Sequence, residues 1–224
     1  MPLITIIGAG PGLGLEIARA FGRKGFDVAL VARDQAKLDT LAQTLAGEGI
    51  QARGFAADVS EPDTVRSAIR SIRETLGRID VLEFSPADRT LESVDALDVT
   101  MENLQPQIDF YLGGALAAIG AVLPDMIAAK SGTVLVTTGG GSLAPTPVRG
   151  NVNIAAAGLR NWTLNLHAAL AEQGVYVAFV AITALIGGGR PDAEPAVIAQ
   201  SYVKLHEERE DAELHYVAYD GYNG

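Results

Sequence analysis

The sequence predicts an α/β domain built on a doubly wound parallel sheet with helices on both faces. Three observations carry this. Short β-branched runs alternate strictly with segments of helical period. The strand runs are apolar throughout, as in a parallel sheet covered on both sides. No linker, composition shift or internal repeat divides the 224 residues, a length that suits one large domain spanning residues 1–224.

The elements follow in order. Strands are expected over Leu3–Ile7, Val28–Ala32, Gln51–Ala56, Ile79–Phe84, Thr133–Thr138 and Val175–Ile182. The first helix carries Leu13, Ile17, Ala20 and Phe21 on one face, the second Leu38, Leu41 and Leu45, and the third Val65, Ile69, Ile72 and Leu76. Ser60 stands where an N-cap would begin the third helix, with Pro62 and Asp63 in its first turn. Met101, Leu104, Ile108, Leu112, Ala115 and Ile119 predict a helix of about 25 residues. Asn151 or Asn153 is the expected N-cap of the helix that follows the fifth strand. A Gly-rich turn, a helix from about Pro195 to Glu207 and a strand near Ala212–Ala218 close the chain.

Composition narrows the function. The net charge is −10 and the pI near 4.7, which argues against nucleic acid or an anionic membrane surface as partner. There are no cysteines, and the three histidines, His167, His206 and His215, do not stand at metal-ligand spacing, so no metal is expected. Met1-Pro2 runs directly into an apolar strand without a signal pattern, and Gly113, Gly114, Gly120 and Pro124 interrupt the longest apolar stretch. A cytoplasmic protein is expected.

The strongest motif is Gly8-Ala9-Gly10-Pro11-Gly12-Leu13-Gly14, set between the first strand and the first helix. Such a turn lets backbone approach a pyrophosphate, and the helix N-terminus adds N–H groups and a positive dipole end. After the second strand, Ala32 stands where an acid would bind a ribose 2′-hydroxyl, and Arg33 follows. Arginine there suits a 2′-phosphate, hence NADP(H). The other reading of Arg33 is a solvated arginine paired with Asp34 or Asp39.

With these residues in place, the chain resembles the short-chain dehydrogenase/reductase family over nearly its whole length. Gly8, Gly12 and Gly14 match that family's GxxxGxG spacing, Asp58-Val59 its adenine-contacting pair, and Asp80-Val81-Leu82 the opening of its fourth strand. The resemblance implies a Rossmann-type fold and a nicotinamide dinucleotide held by Gly8, Gly10, Gly12, Leu13, Gly14, Arg33, Asp58 and Val59. It also implies a homodimer or homotetramer built on helices Met101–Met126 and Val152–Glu172, and a short substrate lid over Ala184–Glu194 beside an open pocket.

The family's chemistry is not matched. Its Asn, Ser, Tyr and Lys positions align with Tyr111, Gly139, Val152 and Ala156, and no tyrosine in the chain is followed four residues later by lysine. The NNAG segment after the fourth strand reads Glu83-Phe84-Ser85-Pro86, and the Pro-Gly after the sixth reads Ile182-Thr183. Val152 and Ala156 supply neither proton nor charge. General acid–base catalysis contributes about 10²–10⁴-fold, so the family's carbonyl-reduction mechanism is not expected here.

Each candidate substitute has two readings. Thr138 offers a hydroxyl at the strand end, or simply bonds backbone there. Tyr111 offers a phenol, or packs half-buried. Glu83, the odd acid in an apolar strand, is either a base of raised pKa or a carboxylate bonded to backbone N–H groups. His167 reads as a packing or subunit-contact residue. Gly139-Gly140-Gly141 reads as a flexible loop that makes room for a ligand, binds an anion, or has relaxed. Two functions remain open: an NADP(H)-dependent oxidoreductase acting on a carbonyl or imine by another route, and a non-catalytic nucleotide-binding regulatory or scaffold protein.

Overall fold

A computed structural model describes residues 1–219; Asp220–Gly224, the end of the span read as one domain, lie outside the described residues. Seven strands form one parallel sheet in the order β3-β2-β1-β4-β5-β6-β7. They are β1 (Leu3–Ile7), β2 (Asp27–Ala32), β3 (Ala52–Ala56), β4 (Val81–Phe84), β5 (Gly132–Gly139), β6 (Val175–Ala184) and β7 (Glu213–Ala218). The helices are α1 (Leu13–Gly22), α2 (Gln35–Gly47), α3 (Pro62–Leu76), α4 (Met101–Ile108), α5 (Gly114–Ala129), α6 (Gly150–Leu170) and α7 (Pro195–Glu208).

Two apolar layers sandwich the sheet. On one face Ile4, Ile6, Leu30 and Val180 meet Ile17 and Phe21 of α1 and Ile198 and Tyr202 of α7. On the other, Ile7, Val31, Phe84 and Val136 meet Ile69 of α3, Ile119 of α5 and Leu159 of α6. The chain winds outward from β1 to β3, then crosses back to place β4 on β1's other side. The order therefore reverses between β1 and β4, and in open α/β sheets a crevice forms outside the strand ends at that point.

Several expectations need correction. β3 is partly exposed rather than apolar on both sides, because it is an edge strand with one neighbour. Ser60 does not cap α3: Glu61 holds the N-cap position, and the Ser60 N–H donates to Asp58 Oδ1 at 2.9 Å. The long helix runs continuously from Met101 to Ala129, but Asp109–Gly113 form a wide π turn within it, shortly after Pro106. Its glycines and Pro124 do not end it, so by length and composition it is apolar enough to cross a membrane; here Ala115, Ala118, Ile119, Val122 and Met126 are buried against the sheet side of the domain. Neither asparagine caps α6, which starts at Gly150 behind Arg149 in the left-handed region (φ 61°). A side chain at Gly150 would come within 2.8 Å of Ala96 Cα, which is why the chain enters this helix through glycine.

Candidate functional site

The turn after β1 lies at the switch point. Gly8 has φ 97°, and a Cβ there would stand 2.5 Å from Pro86 Cα, so only glycine lets the turn slip beside the end of β4. On the other side the N–H groups of Gly8 and Ala9 both donate to Val31 O at the end of β2, at 2.9 and 3.0 Å. Gly14 lets α1 close on the strand, since a Cβ would sit 3.1 Å from Ala9 Cα. Gly10 and Gly12 differ: an added Cβ would meet nothing within 4 Å. Their missing side chains open space for something outside the protein, and no side chain caps α1 at Gly12. The first helical N–H groups, with Leu13 leading, lack intrahelical acceptors and carry the positive dipole end. These residues fit a pyrophosphate-bearing ligand.

The flanks of that turn are polar. Arg33, just past β2, is exposed, and its Nη1 pairs with Asp88 Oδ2 at 2.6 Å rather than with Asp34 or Asp39. Asp34 instead caps α2 by accepting from Lys37 N, and Asp39 accepts from Gln35 Nε2. Asp88 Oδ1 takes the N–H and hydroxyl of Thr90 at 2.8 and 2.6 Å, and these bonds, with Arg33 beside it, hold the carboxyl below the usual range. After β3, Asp58 is half-buried: the Thr64 hydroxyl bonds its N–H and its carbonyl. Val59 is buried against α5, where a Cβ on Gly114 would come within 2.8 Å of its carbonyl.

At the ends of β5 and β6 the reading changes more. Gly139-Gly140-Gly141 is not a loose loop. Gly140 and Gly141 enter a 3₁₀ turn ending at Ser142, and side chains there would strike Thr183 Oγ1 and Asn153 Oδ1. Gly139 alone is exposed with open space over its Cα. Thr138 bonds Gly139 O at 3.2 Å and Ser142 Oγ at 3.0 Å, so its hydroxyl is spent locally. Val152 and Ala156, on the first turns of α6, are 9% and 3% exposed. Tyr111 lies in the π turn, edge-on to Phe110 at 5.1 Å, and burial raises its pKa. His167 bonds Val177 O through Nδ1, a packing role. The expected lid is short: Leu185 and Ile186 are exposed, then Gly187 N donates to Ala193 O and Arg190 pairs with Asp192.

Glu83 is fully buried on the α1/α7 side of β4. It bonds side-chain hydroxyls rather than backbone N–H groups: Ser85 Oγ at 2.8 Å and Thr137 Oγ1 at 3.2 Å, with Thr137 in turn 2.7 Å from the Tyr202 hydroxyl. Burial pushes its pKa up to about 8, against the lowering effect of those hydroxyls. The carboxyl is therefore mostly neutral at pH 7. Ser85, just past the end of β4, is half-buried, whereas Glu83, Thr137 and Tyr202 are buried.

Sequence reasoning missed Asp88 and Ser142 and named Ser85 only as a departure from the family's NNAG segment; all three are polar residues in short turns without periodicity, and only the parallel strand order could have suggested that the turns after β2 and β4 meet over β1. Two open surface hollows lie elsewhere, one lined by Glu92, Thr100, Glu102, Asn103 and Pro106, the other along β3 and α3. Among the described residues, no three His, Asp or Glu side chains gather to hold a metal.

The chain is similar in sequence and fold to known proteins. A family model described as short chain dehydrogenase matches residues 2–186. A very-long-chain 3-oxoacyl-CoA reductase of Neurospora crassa is 32% identical over 180 residues, 79% of this chain and 54% of that protein. Oxidoreductase UcpA of Escherichia coli is 32% identical over 173 residues, 77% of this chain and 65% of that protein. The match thus spans between about half and two thirds of these relatives. L-sorbose reductase from Gluconobacter frateurii, solved with NADPH and L-sorbose, superposes with a TM-score of 0.85 at 20% identity over 98% of this chain and 95% of that one. A metagenomic short-chain oxidoreductase solved with NADP gives 0.84 at 23% identity over 97% of both chains.

Proposed function

This chain belongs to the short-chain dehydrogenase family, and from that premise we propose that it is an oxidoreductase binding NADP(H) across the Gly8–Gly14 turn, with an atypical catalytic end. The observation that carries the reading is the turn itself, where Gly8 and Gly14 are required by packing while Gly10 and Gly12 face open space at the switch point. Arg33 at its flank supports a 2′-phosphate, and Asp58 and Val59 stand at the positions the family uses for adenine. Two similar solved proteins hold NADPH or NADP.

The atypical end rests on Gly139, Val152 and Ala156 standing where the family has Ser, Tyr and Lys, with Tyr111 in place of Asn. Neither Val152 nor Ala156, both buried, carries an acid or a cation. A bound nicotinamide supplies or accepts hydride. The chain's own residues would bind and orient it: the turn amides and Arg33 would hold the phosphates, and Leu185 and Ile186, exposed just past β6, would offer apolar contact. With no tyrosine acid, the proton for a reduced carbonyl comes from water, or the substrate is already cationic, as an iminium is.

The same two apolar residues support a second reading, a non-catalytic nucleotide-binding regulatory or scaffold protein. Calorimetric titration with NADPH, NADP, NADH and NAD, repeated on Arg33→Ala, followed by NADPH oxidation assays on carbonyls and imines, separates the two. Binding of the phosphorylated forms that weakens on substitution, with oxidation of NADPH, supports the enzyme. Binding without any turnover supports the regulatory reading. No binding contradicts both. The subunits are proposed to pair through α4–α5 and α6, a reading supported by the exposed Leu116 and Ile154.

A further inference from the structure

Arg33 and Asp88 close over the Gly8 turn from opposite sides. Val31 O, two residues before Arg33, receives the Gly8 and Ala9 N–H groups, and Pro86, two residues before Asp88, packs on Gly8 from the other flank. The 2.6 Å ion pair therefore joins the turns that follow β2 and β4 across the Gly8 turn. Its partners are unlike. The Arg33 side chain is 56% exposed and that of Asp88 6%, and Asp88 is fixed by both the amide and the hydroxyl of Thr90. The acid is the rigid member and the arginine the movable one.

We propose that Asp88 is a specificity-determining residue: it accepts the ribose 2′-hydroxyl of NAD(H), so that the site takes both NAD(H) and NADP(H), with Arg33 and Asp88 pulling in opposite directions. The inference rests on the reading of the turn as a dinucleotide site. A carboxylate is an acceptor only, which suits a hydroxyl donor and repels a phosphate. A guanidinium has five N–H donors, enough to hold Asp88 with one while others meet a 2′-oxygen or phosphate. An acid at the end of β2 commonly reads the 2′-hydroxyl in dinucleotide folds. Here that position is Ala32, and the turn after β4 supplies the acid instead. Specificity is then the difference between two affinities, set by an attractive and a repulsive group together.

Kd values for NADH and NADPH, measured by calorimetry on the full chain, test this in the wild type, Asp88→Asn, Thr90→Val and Arg33→Ala. The wild type is expected to bind both, with Kd values within about 10-fold of each other. Asp88→Asn should tighten NADPH and weaken NADH, moving their ratio by about 10-fold or more toward NADPH. Thr90→Val, which keeps the charge but loosens it, should move the ratio the same way by less; Arg33→Ala should move it the opposite way. If Asp88→Asn weakens both cofactors equally, or leaves the ratio unchanged, Asp88 does not read the 2′ position and the inference fails while the dinucleotide site stands. If the wild type binds neither, the dinucleotide site itself fails.

Discussion

Glu83 was visible in the sequence as an acid in an apolar strand, and its consequence is a pH dependence. Its folded pKa, about 8, lies above the 4.5 of an unperturbed carboxyl. Between these values the unfolded chain releases a proton that the folded chain keeps, so stability falls as pH rises from 4.5 and levels off above 8. The loss is on the order of 3 kcal/mol at pH 7. Glu83→Gln should therefore stabilise the protein near pH 7 and above by about 2–3 kcal/mol, with little effect near pH 4.5, as read by urea unfolding across that range. An unchanged slope would show the carboxyl ionised in the fold. Gly8→Ala should cost at least about 2 kcal/mol by thermal or urea unfolding, because it forces a side chain into φ 97° and against Pro86. The need for glycine was legible at Gly8. The partner of Arg33 was not, because Asp34 and Asp39 are near in sequence while Asp88 is near only once β4 lies beside β1.

Helical and strand periods placed β1, β5, β6 and α7 closely, since each buries an apolar set with few competing signals. Caps and irregular turns were harder to place. Asn151 has an N-cap's composition, yet it is fully buried inside α6. Its Oδ1 accepts from Val94 N at 3.1 Å, and its Nδ2 donates to Glu92 O and Asn103 O, both at 2.9 Å. One side chain thus ties α6, the segment after β4 and α4 together, which no local pattern encodes. Asn151→Ala leaves these backbone groups without their partner and should destabilise by about 2–4 kcal/mol in urea unfolding, while Asn153→Ala, bonded to Val148 O in an exposed setting, should cost well under half of that. Equal effects would contradict the tie. The π turn was equally hidden: Tyr111 and Leu112 keep the apolar spacing of a regular helix, and only Pro106 upstream marks the disturbance.

For the molecule as a whole, the strict alternation of strands and helices implied the parallel sheet, and the glycine spacing marked the turn that borders the crevice. The catalytic half stays a proposal, that Gly139, Val152 and Ala156 stand at the family's Ser, Tyr and Lys positions, since sequence does not say what would replace those groups. Assembly belongs to this scale too. If the subunits pair as proposed, Leu116→Glu together with Ile154→Glu should convert the proposed dimer or tetramer to monomer by light scattering at micromolar concentration, both being exposed in the isolated subunit. Unchanged mass would place the interface elsewhere. The central claim is that the open side of the Gly8–Gly14 turn receives a dinucleotide, and calorimetric titration of NADPH into the wild type and Gly10→Val tests it most directly. A Cβ at Gly10 touches nothing in the protein, so the variant should unfold within about 1 kcal/mol of the wild type yet lose at least about 10-fold in NADPH affinity. Equal NADPH binding by the two proteins, or none by the wild type, would contradict the claim.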